Sequence, residues 1–402
     1  MKKTTLGLMA IALLAQTSLA AADDVKIGVL MGITGPLASF IPPILNAAKL
    51  AEKEINENGG ILDGQKVQLV VADTQAAAQP AVDAANKLVN IENVPIVTGA
   101  LSSGATIAAA NAVTIPAKVT QISPTATSPA MTDMKDDDYL FRIVPSDNYQ
   151  GEVLAKIVQD EKISKVAITY VNNDYGVGIA STFKAAFEKI GGTVTAFEKH
   201  EDKKNSYRSE LATLGSGGAE ALVVIAYASG SGAKIVKQAL EGGFFDRFIG
   251  TDGLRDDVLI EQVGADALKT SFFSSPTSPE ENPAADKLHA AFTAAFGEGA
   301  DKPFVDQSYD VTMLAALAIE KAGSTADRAK IRDALREVAN APGEVVGPGD
   351  WAKAKKLIAE GKDINYEGAG GSAEFDANGD VQGYIGKYVV DGKTYKRIAV
   401  FQ

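Results

Sequence analysis

Cysteine is absent from the 402 residues, which excludes disulfides, thiolate metal sites and cysteine nucleophiles. Histidine is almost as scarce: His200 and His289 are the only two, so there is little room for imidazole chemistry. Positive charge is also in short supply. The 39 Lys and Arg against 51 Asp and Glu leave a formal charge of −12. Nucleic acid and anionic membrane surfaces need concentrated Lys and Arg, and this balance argues against both as partners. No stretch approaches the roughly 20 apolar residues that span a bilayer. What remains is an ordinary globular mix, 46% apolar and 22% charged. At about 150 residues per domain, the length suggests two or three domains.

The first segment reads as an address. Lys2 and Lys3 precede an uncharged apolar run from Leu6 to Ala15, and small residues lead into Ala20, Ala21 and Ala22. That pattern predicts a cleaved secretory signal peptide over residues 1–22. A lipid-anchored export would need a cysteine at the cleavage site, so a soluble, exported, unlipidated protein is expected. Loss of two lysines makes the remaining chain more acidic still.

Strands then alternate with helices. Val25–Met31, Val67–Ala72 and Pro95–Thr98 read as buried strands. Ile44, Ala47, Ala48, Ala51 and Ile55 recur at helical spacing, and that helix stops at Asn58-Gly59-Gly60. The order repeats from Lys165–Tyr170, through a helix stopped by Gly191-Gly192, to Ala221–Ala226 and its own Gly/Ser loop. Such alternation predicts an α/β protein with two doubly wound parallel-sheet lobes. The expected first lobe comprises 23–143 and 275–345, and the second 144–274 and 366–402, with 346–365 a variable insertion. Crossings near Phe141–Pro145, near Ser274–Thr277 and in the C-terminal region would form a three-crossover hinge.

Catalytic motifs are missing. There is no Gly-x-Ser-x-Gly elbow and no Gly-x-Gly-x-x-Gly after the first strand. Gly386–Thr394 ends in Gly-Lys-Thr, yet its spacing has one residue too many for a phosphate loop, and it reads as a hairpin. His200, in a charged run, reads as a solvated strand end, and His289 as a surface helix residue. Asp136-Asp137-Asp138 reads as a solvated run. No metal, cofactor or catalytic residue is expected, and an enzyme is the weaker hypothesis.

In doubly wound sheets, ligands sit beyond the carboxyl ends of strands. Ser102-Ser103-Gly104 there precedes a helix, whose free N–H groups favour an anion, although simple capping explains a serine equally well. Ser123-Pro124-Thr125-Ala126-Thr127 is a second hydroxyl-rich loop. In the other lobe, Tyr175, Tyr227 and Asp252 stand at strand ends. Asp252 before Gly253 also fits a plain turn. An acid in one lobe facing hydroxyls in the other would suit a zwitterion.

These residues carry a resemblance. From about Val25 to Tyr388 the chain resembles the Leu/Ile/Val-binding proteins, the type I periplasmic substrate-binding proteins of ABC transporters. It rests on Ile33-Thr34-Gly35-Pro36, Asn58-Gly59-Gly60-Ile61, Ser123-Pro124-Thr125-Ala126-Thr127, Asp174-Tyr175-Gly176 and Gly250-Thr251-Asp252-Gly253. The resemblance implies that Ser103, Thr125 and Thr127 hold a ligand α-carboxylate. It implies that Tyr175 and Asp252 meet the α-ammonium, that Phe40 lines the side-chain pocket and that Tyr227 is a further contact. Pro42-Pro43 after Phe40 departs from the family and would alter the loop touching the ligand side chain. The implied role is a periplasmic, monomeric carrier of a branched-chain or related amino acid, docking on a membrane permease. A carrier of an amide, urea or aromatic acid is the alternative, and a secreted α/β enzyme a second one.

Overall fold

A computed structural model describes residues 24–402; the expected signal peptide, residues 1–22, lies outside them. Apolar runs become buried parallel strands, as sheets covered on both faces require. In the first sheet β1 (Val25–Met31), β2 (Val67–Asp73), β3 (Ile96–Thr98), β4 (Thr120–Ser123) and β5 (Leu140–Arg142) lie parallel in the order β2-β1-β3-β4-β5. Helices α1 (Ile41–Glu57), α2 (Ala78–Asn86) and α3 (Ser103–Ala109) connect them. Pro42 and Pro43 sit in the first turn of α1, where missing N–H groups cost no helical hydrogen bond. They are helix, not loop, which corrects the expectation that they reshape a ligand-contacting loop.

The second lobe begins with α4 (Asp147–Asp160). Strands β6 (Lys165–Val171), β7 (Thr193–His200), β8 (Ala221–Ile225), β9 (Phe248–Gly250) and β10 (Phe272–Thr277) follow, with α5 (Asp174–Lys189), α6 (Arg208–Gly215), α7 (Ala233–Glu241) and α8 (Asp257–Val263) among them. The chain then returns to the first lobe as α9 (Pro283–Phe296), α10 (Val305–Ala322) and α11 (Arg328–Ala339). A small sheet of β11 (Glu344–Val346), β12 (Ile364–Gly368) and β13 (Gly371–Ser372) encloses α12 (Trp351–Ala359). Finally β14 (Tyr384–Asp391) and β15 (Thr394–Phe401) add an antiparallel edge to the second sheet, in the order β15-β14-β10-β9-β8-β6-β7. The Asp391-to-Thr394 turn joins them, so the Gly-Lys-Thr segment is a hairpin.

The chain therefore changes lobe after β5, after β10 and ahead of β14. Two expected boundaries move. Trp351, Leu357, Ile364, Tyr366, Phe375 and Val381 are buried in the first-lobe core, so the expected insertion 346–365 packs onto that lobe and 366–381 belongs with it rather than with the second. The Trp351 indole N–H donates to the Gly60 carbonyl at 3.1 Å, and the Tyr366 hydroxyl to Asp310 at 2.8 Å, pinning this segment to α1's end and to α10. Ser275, Pro276 and Thr277 pair with β14 and belong to the second sheet. Helix α10 is buried over nearly its whole length, with an apolar stretch from Met313 to Ile319 and buried polar residues such as Asp310 in its first half, which makes it a central packing element of the first lobe.

His200 departs furthest from its expectation. Its side chain is buried, with Nδ1 2.8 Å from the Thr169 hydroxyl and Nε2 2.9 Å from that of Ser231. Burial holds its pKa down to about 4, so the ring is neutral. The charged neighbours in sequence point outward while the last residue of β7 turns in. His289 is half-buried and bonds Asp306 at 2.7 Å, so it too is more than a surface residue.

Candidate ligand cleft between the lobes

Three helix starts bring polar side chains to the gap between the sheets. Ser102 caps α3 by accepting from the Ala105 N–H at 3.4 Å, which places Ser103 in the first turn, where N–H groups lack helical partners. Asn173 caps α5 by accepting from the Gly176 N–H at 2.9 Å and sets Tyr175 in that helix's first turn. Ser146 caps α4 in the same way and delivers Asp147 and Gln150. Capping and ligand presentation are thus not rivals here; the cap aims the next residue.

These elements line a narrow cleft between the lobes. Ser102, Ser103 and Thr125 line it from the first lobe, and Tyr175, Tyr227, Asp252 and Gly253 from the second. Leu37, Phe40, Ile44, Leu101 and Phe304 form an apolar wall. Six of the seven candidate residues, Phe40, Ser103, Thr125, Tyr175, Tyr227 and Asp252, therefore stand together. Thr127 does not line the cleft. Its hydroxyl donates to Asp147 at 2.8 Å, because the loop after β4 turns that side chain toward the hinge.

The first-lobe pole carries no formal charge. Ser103 Oγ accepts from the Ser128 N–H at 3.2 Å, leaving its own proton free to donate. Thr125 spends its hydroxyl proton on the Leu101 carbonyl at 2.5 Å, and its N–H donates to the Ser123 hydroxyl oxygen at 3.3 Å. Its remaining capacity toward the cleft is as an acceptor. Beneath the loop, Arg142 is fully buried: it donates to the Thr127 and Ser128 carbonyls at 2.9 and 2.8 Å and pairs with Asp380 at 2.6 Å. That fork ties the loop to the third crossover.

The second-lobe pole is acidic. Asp252 opens a short 3-10 turn and is 5% exposed, with its carboxylate receiving the Tyr175 hydroxyl and the Gln150 amide, both at 3.1 Å. Burial pushes its pKa up to about 6. Asp147 is buried beside it, and burial together with the Asp252 charge raises its carboxyl well above the usual range. One Asp147 oxygen and the Gln150 carbonyl oxygen have no hydrogen-bond partner. Tyr175 and Tyr227 stack with ring centroids 5.4 Å apart. Gly253 is required here: a Cβ would meet the Ala226 carbonyl at 2.9 Å and the Tyr175 hydroxyl at 3.1 Å.

The lobes touch across the cleft mouth. Ser128 donates to the Asp174 carbonyl at 3.0 Å, Ser39 and Ser229 hydroxyls meet at 2.7 Å, and Lys302 pairs with Asp257 at 2.5 Å. A Cβ at Gly104 would come within 2.9 Å of the Asp174 carboxylate, so α3 and α5 approach closely here. Sequence reasoning missed Leu37, Ile44, Leu101 and Phe304, whose apolar pattern looks like core. It also missed Gln150, for which nothing in the local pattern marks a role.

A family model described as "Periplasmic binding protein" matches residues 24–361. The leucine-, isoleucine-, valine-, threonine- and alanine-binding protein of Pseudomonas aeruginosa is 31% identical over 329 residues, 82% of this chain and 86% of that one. Among solved structures, the leucine-binding protein LivK of Thermotoga maritima superposes with a TM-score of 0.79 at 25% identity, covering 94% of this chain and 98% of its own. The branched-chain amino acid transporter substrate-binding protein LivJ of Streptococcus pneumoniae, in complex with isoleucine, gives 0.77 at 27% identity, covering 94% and 99%.

Proposed function

The chain belongs to the periplasmic binding protein family, and on that premise we propose that it captures a free α-amino acid, branched-chain or related, for an ABC importer. The observation that carries this reading is the division of the cleft. Uncharged donors and a helix start lie on one side, a buried carboxylate on the other, and an apolar wall stands between. An α-amino acid has the same three parts.

In this reading the ligand carboxylate takes the Ser103 hydroxyl and the free N–H groups at the start of α3. Asp252, held by Tyr175 and Gln150, meets the ammonium, and the acceptor face of Thr125 lies near it. Phe40, Ile44 and Phe304 surround the side chain, with Tyr227 closing the end. A ligand that touches both lobes favours the state in which both contacts form together, so binding closes the hinge. Hinge closure is the mode known for periplasmic binding proteins. The closed form then docks on an inner-membrane permease from the periplasm. The cleft supplies groups for holding a zwitterion rather than for changing it, and no turnover is expected.

The test is calorimetry of the full chain against leucine, isoleucine, valine, threonine, alanine and benzoate. Saturable binding of at least one of the amino acids, with the ligand recovered intact, supports the reading. Heat from none of the amino acids contradicts it, and benzoate binding alone favours an aromatic-acid carrier.

A further inference from the structure

Phe304 closes the apolar end of the amino-acid cleft and also forms one wall of a second, larger cavity of about 250 Å³ between the lobes. The character of this cavity is cationic. Arg255, just after the turn that carries Asp252, lines it and is only 5% exposed. Its Nε is buried without a hydrogen-bond partner, and its guanidinium lies over the Tyr388 ring, 4.0 Å from the centroid. Arg397 lines the same space and donates to the Thr277 hydroxyl and the Ser278 carbonyl, both at 2.8 Å. The Tyr388 hydroxyl also donates to Thr277, at 2.9 Å, so the two arginines share one set of neutral neighbours.

Among the described residues, the arginine ion pairs belong to Arg142, Arg208, Arg247, Arg332 and Arg336. Neither Arg255 nor Arg397 forms one. The other charges here are largely matched: His289 with Asp306 at 2.7 Å, and Lys302 with Asp257 at 2.5 Å. Asp301 is the one remaining carboxylate of the lining. Neither guanidinium is in an ion pair, although the Asp252 and Asp306 carboxylates lie within electrostatic reach of Arg255 and Arg397 respectively. A desolvated charge with an open donor is costly unless a partner occupies it.

We propose that this cavity is a second binding site, for a small oxyanion: a carboxylate or a phosphate-like group held by the Arg255 and Arg397 guanidiniums. The planar guanidinium fork matches two oxygens of such a group, which chloride cannot do. Arg255, Thr277, Tyr388 and Arg397 come from the second lobe, and His289 and Lys302 from the first. An occupant therefore touches both lobes and favours the closed form, coupling this site to the amino-acid cleft.

The full chain, freed of amino acid, is titrated at pH 7 with sodium sulfate, sodium phosphate and sodium succinate, against sodium chloride at matched ionic strength. Saturable heat and a raised melting temperature with an oxyanion, but not with chloride, are expected. Response to the inorganic ions alone identifies a free inorganic oxyanion, and response to succinate alone an organic carboxylate. Arg397→Gln should weaken binding about tenfold, and Arg255→Lys, which keeps the charge and loses the fork, about threefold. Circular dichroism confirms that both variants fold; if Arg397→Gln does not, Arg255→Lys and the wild-type titrations decide. No saturable heat from any of the three anions overturns the proposal, as does wild-type affinity in the variants that fold. Saturating oxyanion should tighten leucine binding about threefold, and unchanged leucine affinity overturns the coupling. That arm rests on the amino-acid reading; the direct titration does not, so the two failures are distinguishable.

Discussion

Thr127 and Asp147 stand on opposite sides of the first crossover, and the threonine hydroxyl donates to the aspartate at 2.8 Å while the Asp147 N–H donates back to the Thr127 carbonyl, also at 2.8 Å. The pair fixes how the hydroxyl-rich loop of one lobe meets the first turn of α4 in the other. Thr127 therefore acts on lobe geometry, whereas Ser103 is the residue proposed to act on the ligand. Thr127→Val should leave a buried carboxyl oxygen short of a donor and cost about 1–3 kcal/mol of stability. Ser103→Ala leaves the buried Ser128 N–H without its acceptor, so it should also cost about 1 kcal/mol of stability, and it alone should weaken leucine binding by about tenfold or more. Melting temperature and calorimetry on the two variants check this, and the reverse pattern would return Thr127 to the ligand.

His200 makes stability depend on acidity. Its pKa is about 4 in the fold against 6.5 unfolded, so below pH 6.5 the unfolded chain takes up a proton that the folded chain refuses. Its contribution is present above pH 6.5 and is lost as pH falls toward 4. Between pH 6.5 and pH 5 the loss should be about 2 kcal/mol. His200→Gln removes that titration, so its stability should fall less steeply over the same interval in urea unfolding. Parallel pH curves for variant and wild type would contradict the buried, neutral imidazole.

Asp252 has the opposite sense. Its pKa is about 6 in the fold against 3.8 unfolded, so the folded chain binds the extra proton between pH 6 and 4. Its contribution to the stability of the unliganded protein rises as pH falls through that window, and Asp147, also raised, acts the same way. Ammonium binding needs the carboxylate ionised, so leucine affinity should fall by up to about tenfold per pH unit below pH 6. Binding at pH 6 should release protons, read as a difference in observed calorimetric heat between two cationic buffers of unequal ionisation heat, bis-Tris and imidazole. Equal uncorrected heats in the two buffers would contradict it.

Much of this organisation was legible from residue pattern alone. The strand Val25–Met31 and the glycine stop after α1 are local properties: an apolar run, and a residue free to adopt positive φ. Five of the six cleft residues, Ser103, Thr125, Tyr175, Tyr227 and Asp252, follow strand ends, which converge in a parallel sheet, whereas Phe40 was implied only by the family resemblance. What failed depends on side-chain direction. His200 ends a strand amid charges, and nothing local says that it turns inward. Thr127 differs from Thr125 by two positions, yet one hydroxyl faces the hinge and the other the cleft. The segment from Trp351 to Val381 joins the first lobe through contacts with Gly60 and Asp310, hundreds of residues and tens of residues away respectively. Leu37, Ile44 and Phe304 line the cleft with the same residue types that fill a core, so composition does not separate the two roles.

The most direct measurement of the central claim is a double-mutant-style cycle on the Asp252 carboxylate. Leucine and its des-amino analogue 4-methylpentanoate are titrated into wild type and Asp252→Asn, which keeps the shape and removes the charge. Loss of one partner of a buried charge pair costs about 2–5 kcal/mol, or roughly 30-fold to several-thousand-fold in affinity. Leucine should lose that much on Asp252→Asn, whereas the analogue, weak on wild type, should lose far less on the variant. Near-wild-type leucine affinity on a folded Asp252→Asn would contradict the claim that this carboxylate receives the ligand ammonium.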